Sequence, residues 1–270
     1  MKSPTVYSDY LRYLPTPIFK FLAKRWINYD FPRHLFIELN TSCNLSCAIC
    51  PRQKMNKEMD YDLFRKIVKE ANGIGRFSFS LHLFGEPLLG THFYDAIREL
   101  KQGRHTVIIT TNGTLLQEHR ERLLQSGIDR IIISYRKGLD TKSILQFRSI
   151  ATIRVFRNEE GDARAEFPGF HFQVKDIHNY GGSIKSGSPK LKRHPCYHLW
   201  LAPAVRWNGE FTVCCADPYG EMVVGNVKKR TIGEMWNGTL MNNLRKWHLN
   251  GIYDGRCKNC NVWSTYPSIL

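Results

Sequence analysis

The chain has 270 residues, 42% of them hydrophobic, and a formal net charge of +15. That size allows one large domain or two modest ones with enough core to fold unaided, and eight cysteines are too few for a disulfide scaffold. Prolines and lysines break up the apolar positions near the N-terminus and no apolar run approaches a membrane span, so neither a secretory signal nor a spanning helix is expected; the cytoplasm is the expected compartment, where cysteines read as metal ligands.

Residues 1–32 are aromatic and basic, and Ile18, Phe19, Phe21, Leu22, Trp26 and Ile27 suggest a short amphipathic helix after Pro17. Strand Leu35–Leu39 then runs into Cys43-Asn44-Leu45-Ser46-Cys47-Ala48-Ile49-Cys50. Three thiolates at offsets of 0, 4 and 7 can occupy three corners of a cubane iron–sulfur cluster and leave the fourth iron open to a small molecule. Zinc, or three ordinary buried thiols, is the plainer alternative.

An alternation of helices and strands follows: helix Tyr61–Ala71, strand Phe77–Leu83, helix Thr91–Leu100, strand Thr106–Thr110, helix Leu115–Leu124, strand Arg130–Ser134, helix Thr141–Phe147 and strand Thr152–Phe156. Such alternation predicts βα units around a parallel sheet, with chemistry at the C-terminal strand ends. Phe84-Gly85-Glu86-Pro87 follows the second strand, Thr110-Thr111-Asn112-Gly113 the third, and Ser134 closes the fourth. Gly85 would permit close backbone approach, and Glu86 offers a carboxylate to an ammonium. His82 shares a strand face with Phe84; a structural histidine is expected there, with substrate contact as the alternative. The stretch between Ser134 and His178 is shorter than two βα repeats of about 30 residues each, so the barrel is expected to be shortened, with a final strand near His171–Ile177. Residues 183–195 read as a basic linker.

Five further cysteines, Cys196, Cys214, Cys215, Cys257 and Cys260, lie beyond the linker. The Cys257–Cys260 knuckle, Cys196 and one of the adjacent pair would complete a closed four-thiolate site for zinc or a second cluster. If Cys214 and Cys215 lie on a strand they face opposite ways, so one should ligate.

These motifs resemble those of the radical S-adenosylmethionine (SAM) enzymes. The CxxxCxxC loop is similar to the family's cluster-binding signature, Gly85-Glu86-Pro87 to its SAM-ammonium motif, Thr111-Asn112-Gly113 to its third-strand turn and Ser134 to its fourth-strand SAM contact. Departures are Phe84 for the usual first glycine, Ile49 for an aromatic, and Tyr135-Arg136-Lys137-Gly138 where relatives have an Asp-Gly step. Gly209-Glu210-Phe211-Thr212-Val213-Cys214, Gly225-Asn226-Val227, Ile232-Gly233-Glu234-Met235-Trp236-Asn237 and the final knuckle resemble the auxiliary-cluster domain of SPASM and twitch enzymes, the shorter twitch form in particular. The resemblance implies Cys43, Cys47 and Cys50 on a catalytic [4Fe–4S] cluster, Gly85, Glu86, Pro87, Asn112 and Ser134 on SAM, and Cys196, Cys214, Cys257 and Cys260 on a second [4Fe–4S] cluster.

The expected fold class is therefore α/β: an N-terminal extension (1–32), a shortened (β/α) barrel (33–182), the linker (183–195) and a small auxiliary-cluster domain (196–270). The implied activity is reductive SAM cleavage to a 5'-deoxyadenosyl radical, with a flavodoxin- or ferredoxin-like electron donor. A peptide or protein substrate is ranked first and a small sugar or aminocyclitol second; the charge favours an anionic substrate and leaves nucleic acid open. A non-catalytic iron–sulfur or zinc electron-transfer module is the alternative of another class.

Overall fold

The computed structural model describes residues 21, 31–186, 193–201 and 203–264. Apart from Phe21, the amphipathic segment expected after Pro17 lies outside them, as does the middle of the basic linker.

Six parallel strands form most of the sheet: β1 (His34–Ile37), β2 (Ser78–Ser80), β3 (Thr106–Thr111), β4 (Arg130–Ser134), β5 (Ala151–Phe156) and β6 (His171–Lys175). The helices between them are α1 (Tyr61–Ile74), α2 (Phe93–Gln102), α3 (Leu116–Gln125), α4 (Thr141–Leu145) and α5 (Glu160–Glu166). Helix α1 starts where the Asp60 carboxylate accepts the Leu63 N–H at 3.0 Å, and it buries Leu63, Phe64, Ile67, Val68 and Ala71. The shortened barrel follows from α4 and α5, which have five and seven residues. Strand β2 is shorter than its apolar pattern suggests. Leu81 N–H still bonds Ile108 O at 3.0 Å, but the chain then leaves the ladder for the Gly85 turn.

The register sorts the side chains. Phe36 pairs with Ser80, Ser80 with Ile108, Ile108 with Arg130, Ile132 with Thr152 and Ser134 with Arg154. Odd-numbered residues of β1–β5, among them Leu35, Phe79, Ile109, Ile133 and Ile153, enter the main core under the helices. Even-numbered ones take the other face, because side chains alternate along a strand. That inner face is mixed: Phe36, Ile108 and Ile132 are buried on it, while His34 bonds Ser78 Oγ at 2.9 Å and Ser80 Oγ at 3.0 Å, and Arg154 donates to Gln173 at 2.9 Å.

The C-terminal region continues the same sheet. After α6 (His198–Leu201), strand β7 (Ala204–Val205) pairs parallel with β1, and β8 (Glu210–Thr212) and β9 (Val223–Asn226) add antiparallel. Helices α7 (Ile232–Trp236), α8 (Thr239–Leu249) and α9 (Arg256–Asn259) follow, α7 held by a Thr231–Glu234 capping box. Among the described residues no helix is long and apolar enough to cross a membrane.

Glu38 stands at the seam: its N–H donates to Val205 O at 2.9 Å and its carboxylate accepts from Trp207 N at 3.4 Å. Burial raises its pKa to about 7, against the opposing pull of Arg206. The folded state then holds a proton that the unfolded state releases near pH 4.5, so this group lowers stability as pH rises from about 4.5 to 7. Glu38→Gln should remove that slope. Thermal unfolding at pH 5 and pH 8 should show the variant gaining on wild type at the higher pH by up to ~3 kcal/mol; parallel curves would rule out the seam carboxylate as the cause.

Candidate active site

The three-cysteine loop leaves β1 at the C-terminal edge of the sheet. Cys50 N–H turns back on Cys47 O at 3.1 Å, and the Arg52 guanidinium staples the loop through Cys43 O at 3.3 Å and Leu45 O at 3.0 Å. All three thiols are free; Cys47 is exposed and the others are half-buried. Burial raises the Cys50 pKa, Arg52 opposes the shift, and the like charges of Cys47 and Cys43 add to it. Three thiolates on one short loop coexist when a cation lies between them, so the donor set suits a cluster.

The Gly85 turn crosses this loop at its root. A Cβ on Gly85 would lie 2.4 Å from Asn40 O, so the close approach expected of this glycine is real. Glu86 N–H bonds Ser42 O at 2.7 Å, and Asn40 Nδ2 donates to Glu86 O at 3.1 Å. The Glu86 carboxylate, 2% exposed, caps the short turn Pro87–Leu89 through Leu88 N–H at 3.3 Å. It also accepts Thr111 Oγ1–H at 2.8 Å and Asn112 N–H at 2.8 Å. Burial raises its pKa and these donors oppose the rise. A carboxylate has about four acceptor positions, and an ammonium seated on the remaining one would offset the burial cost further.

Asn112 faces the cysteines: its Nδ2 lies 3.8 Å from Cys43 Sγ and 2.9 Å from Asn44 Oδ1. Ser134 closes β4 on the inner face, in register with Arg154. Sequence reasoning missed Arg154, although a charged residue inside an apolar strand is itself a signal.

The other end of the inner face carries further basic side chains. Phe172 and Val174 pack on the main core, so Gln173 and Lys175 take the opposite face. His178 and Tyr180 follow, with ring centroids 5.8 Å apart, and Tyr180 meets the Phe84 ring edge-on at 5.7 Å. Tyr180 has φ of +48°, a left-handed conformation that costs on the order of 1 kcal/mol or more. It is held there by Arg256, which donates to Tyr180 O, and by Asn179 and Asn261, whose side chains accept each other's backbone N–H at 2.9 and 2.8 Å. His82 Nδ1 accepts Thr110 N–H at 3.0 Å, the structural role expected of it, so the neutral ring carries its proton on Nε2.

A second cavity is walled by Cys196, Cys214, Cys257 and Cys260 together with His198 and His248. Burial pushes the Cys257 thiol up to about 12, with Cys214 and Cys260 adding to the shift, and Cys196 rises in the same way. Ala216 N–H reaches Cys214 Sγ at 3.3 Å and Val262 N–H reaches Cys260 Sγ at 3.4 Å, donors that favour thiolates. His248 Nδ1 accepts Cys196 N–H at 3.3 Å, and its buried Nε2 has no partner among the described residues. A cluster sulfide would satisfy that donor. The donor set thus fits an iron–sulfur cluster.

Cys214 and Cys215 do not part by strand alternation, because β8 ends at Thr212. Their sulfur atoms and a His198 ring nitrogen lie within 4.8 Å of one another. The cysteines still diverge in role: Cys214 lines the cavity, while Cys215 packs against Phe36 and Ala204 on the inner face.

The radical SAM superfamily profile matches residues 37–150, and that of an iron–sulfur cluster-binding domain, SPASM, matches residues 196–261. The chain is 27% identical over 239 residues to the S-adenosyl-L-methionine-dependent 2-deoxy-scyllo-inosamine dehydrogenase of Niallia circulans, covering 83% of this chain and 91% of that protein. Its fold is similar to that of BtrN in complex with AdoMet and 2-DOIA (TM-score 0.66, 23% identity, 85% of this chain and 92% of that one). It is also similar to that of Streptococcus suis SuiB bound to precursor peptide SuiA (TM-score 0.65, 15% identity, 92% of this chain and 74% of that one).

Two cubanes require about eight irons per chain. A Cys257→Ala, Cys260→Ala double variant should lose about half the iron on anaerobic reconstitution, whereas Cys215→Ala, off the cavity wall, should keep it. Full iron in the double variant, or one tightly held zinc in wild type, would return the cavity to a mononuclear or structural site.

Proposed function

The chain belongs to the radical SAM superfamily and carries a C-terminal iron–sulfur domain, and from that premise we propose that it oxidises a hydroxyl-bearing small molecule by two electrons. The enzyme uses [4Fe–4S] clusters and S-adenosylmethionine. When bound, the first cluster and SAM supply a 5'-deoxyadenosyl radical that takes a hydrogen atom, and the second cluster supplies an acceptor for the electron the substrate then gives up.

One observation carries the oxidative reading: the four thiols of the second cavity form a complete ligand set with no open corner. A cluster held by four cysteines offers no iron to substrate, and electron transfer is the chemistry left to it. Cys215 and His198 stand between that cavity and the inner face, their Sγ and Nδ1 3.7 Å apart. The match to a dehydrogenase over nearly its whole length supports the same reading.

In this reading Cys43, Cys47 and Cys50 hold the first cluster and leave the fourth position to SAM. Glu86 accepts the SAM ammonium, and Ser134 with Arg154 meets its carboxylate. Gly85 and Pro87 set the turn that aims Glu86, and Asn112 fixes the cysteine loop against it. Tyr180 and Phe84 close over the site and exclude water. A flavodoxin- or ferredoxin-like protein delivers the first electron.

Peptide modification is the second reading. A cleft lined by Ile49, Cys50, Arg52, Ser183, Lys185 and Tyr219 opens beside the cysteine loop, and one similar fold holds a precursor peptide.

Reconstituted protein with dithionite and SAM should release 5'-deoxyadenosine and methionine. A cyclitol or sugar alcohol deuterated at the oxidised carbon should pass its label to 5'-deoxyadenosine and yield one ketone per label. Label transfer from peptide substrates alone would favour the second reading. Glu86→Gln removes a charge-assisted hydrogen bond of roughly 1.5–3 kcal/mol, so SAM affinity should fall about tenfold or more with iron content intact. Unchanged affinity would leave Glu86 with a purely structural role.

A further inference from the structure

The wall of the second cavity holds one donor whose protonation its neighbours fix. His248 lies in the last turn of α8 and is 2% exposed. The Cys196 backbone N–H donates to its Nδ1 at 3.3 Å, and the Tyr253 ring packs against it nearly at right angles, centroids 4.9 Å apart. A backbone N–H can only donate, so Nδ1 carries no proton and the neutral ring bears it on Nε2. That makes Nε2 a hydrogen-bond donor and bars it from ligating a metal. This Nε2–H is buried without a partner among the described residues, on a wall shared with Cys196, Cys214, Cys257 and Cys260. A buried donor calls for an acceptor, and the four thiols mark where sulfur would supply one. His198, on the same wall, is not fixed in this way: its Nδ1 lies 3.7 Å from Cys215 Sγ, a contact either tautomer can make. Arg193 adds a fixed charge to the wall. It donates to Lys258 O at 2.7 Å and to Cys257 O, and its guanidinium carbon lies 3.9 Å from the Tyr253 ring centroid.

We propose that His248 donates its Nε2–H to a sulfur of the second cluster and thereby raises that cluster's reduction potential. An added electron makes the sulfur atoms more negative, so a hydrogen bond aimed at them favours the reduced form. Burial strengthens the effect, because little water competes for the same sulfur. The Ala216 and Val262 N–H groups act in the same sense on Cys214 and Cys260, and His248 supplies the Cys196 side. Arg193 contributes through charge, on the knuckle that carries Cys257. A raised potential suits a site that receives an electron from substrate, where a site that must deliver one would need the opposite. The inference rests on the electron-accepting reading of the second cavity and names the residue that sets its potential.

The test uses the full chain with Cys43→Ala, Cys47→Ala and Cys50→Ala, reconstituted anaerobically, so that only the second site is loaded, at about four irons per chain. In protein carrying isotopically labelled histidine, pulsed electron paramagnetic resonance of the reduced state should show coupling to one imidazole nitrogen. His248→Leu should abolish that coupling, and His198→Leu should keep it. Potentiometric titration should show His248→Leu shifting the one-electron equilibrium toward the oxidised form about tenfold, which is about 59 mV. His248→Gln keeps an acceptor for Cys196 and an N–H beyond it, so its potential should fall by less. Iron content reports whether each variant is loaded, and the coupling in the otherwise unaltered site decides the matter even if His248→Leu fails to fold. No histidine coupling there, coupling that persists in His248→Leu, or an unchanged potential in a loaded His248→Leu variant would each overturn the proposal. Zinc in place of iron would remove the electron-accepting reading and the inference together, whereas an iron cluster without histidine coupling would remove the inference alone. Histidine coupling together with label transfer from peptides alone would leave the role of His248 standing and remove the small-molecule reading.

Discussion

Three strand ends of this sheet meet on one buried carboxylate. Glu86 takes hydrogen bonds from its own turn, from Thr111 on β3 and from Asn112 beyond it, while its backbone N–H is bound to Ser42 in the cysteine loop. The arrangement requires two backbones to cross where a Cβ would lie 2.4 Å from a carbonyl oxygen, so Gly85 is a condition for everything above it. If the Glu86 side chain shifts, the β3 turn is released, Asn112 leaves Cys43, and the cysteine loop loses a support. A buried carboxylate is costly unless donors surround it. Here the donors are the elements that must be held in register, so the cost of burial is tied to the precision of the site.

The second organising fact is parity. Parallel strands covered on both faces read as continuous apolar runs. In this chain one parity is apolar and packs under the helices, while the other carries His34, Ser78, Ser80, His82, Ser134 and Arg154. A closed core could not carry such a face without losing stability, because each polar group needs a partner. Several have found one another, as in the His34–Ser78–Ser80 and Arg154–Gln173 contacts. The C-terminal extension adds to the same face, where Cys215 packs beside Phe36 and Ala204.

Local chemistry was legible in the sequence, and side-chain convergence was less so. The alternation of βα units and the Gly85 crossing follow from spacing and residue type, since each depends on a few neighbours in the chain; the choice of Cys214 for the four-cysteine cavity came from the family resemblance. The opposed directions expected of Cys214 and Cys215 are not found, since their sulfur atoms lie within 4.8 Å of each other. Alternation holds within a strand, and β8 stops at Thr212 before reaching them. Helix α5 was not foreseen either: at seven residues it is too short to show a helical period. Arg154 and Lys175 escaped notice for a different reason. Their meaning depends on which parity faces inward, and that is set by register between strands, which composition does not reveal.

Besides the β1–β7 seam, the two regions of the molecule are joined next to the second cavity. Asn179 and Asn261 exchange backbone hydrogen bonds, and Asn179 Nδ2 adds one to Asn259 O at 2.6 Å. Arg256, next to Cys257, reaches Ser183 at 2.6 Å as well as Tyr180, and pairs with Glu221 at 2.7 Å. The residues that roof the inner face are thus fastened to the loop that carries two of the second cavity's thiols. Metal binding to such a loop contributes to its folding free energy. A group bound in the cavity would order the knuckle, and the knuckle carries Arg256 and Asn261, which hold the Asn179–Tyr180 turn. Through that linkage, occupancy of the second cavity would bear on the Tyr180 turn by geometry, and emptying it would loosen that turn.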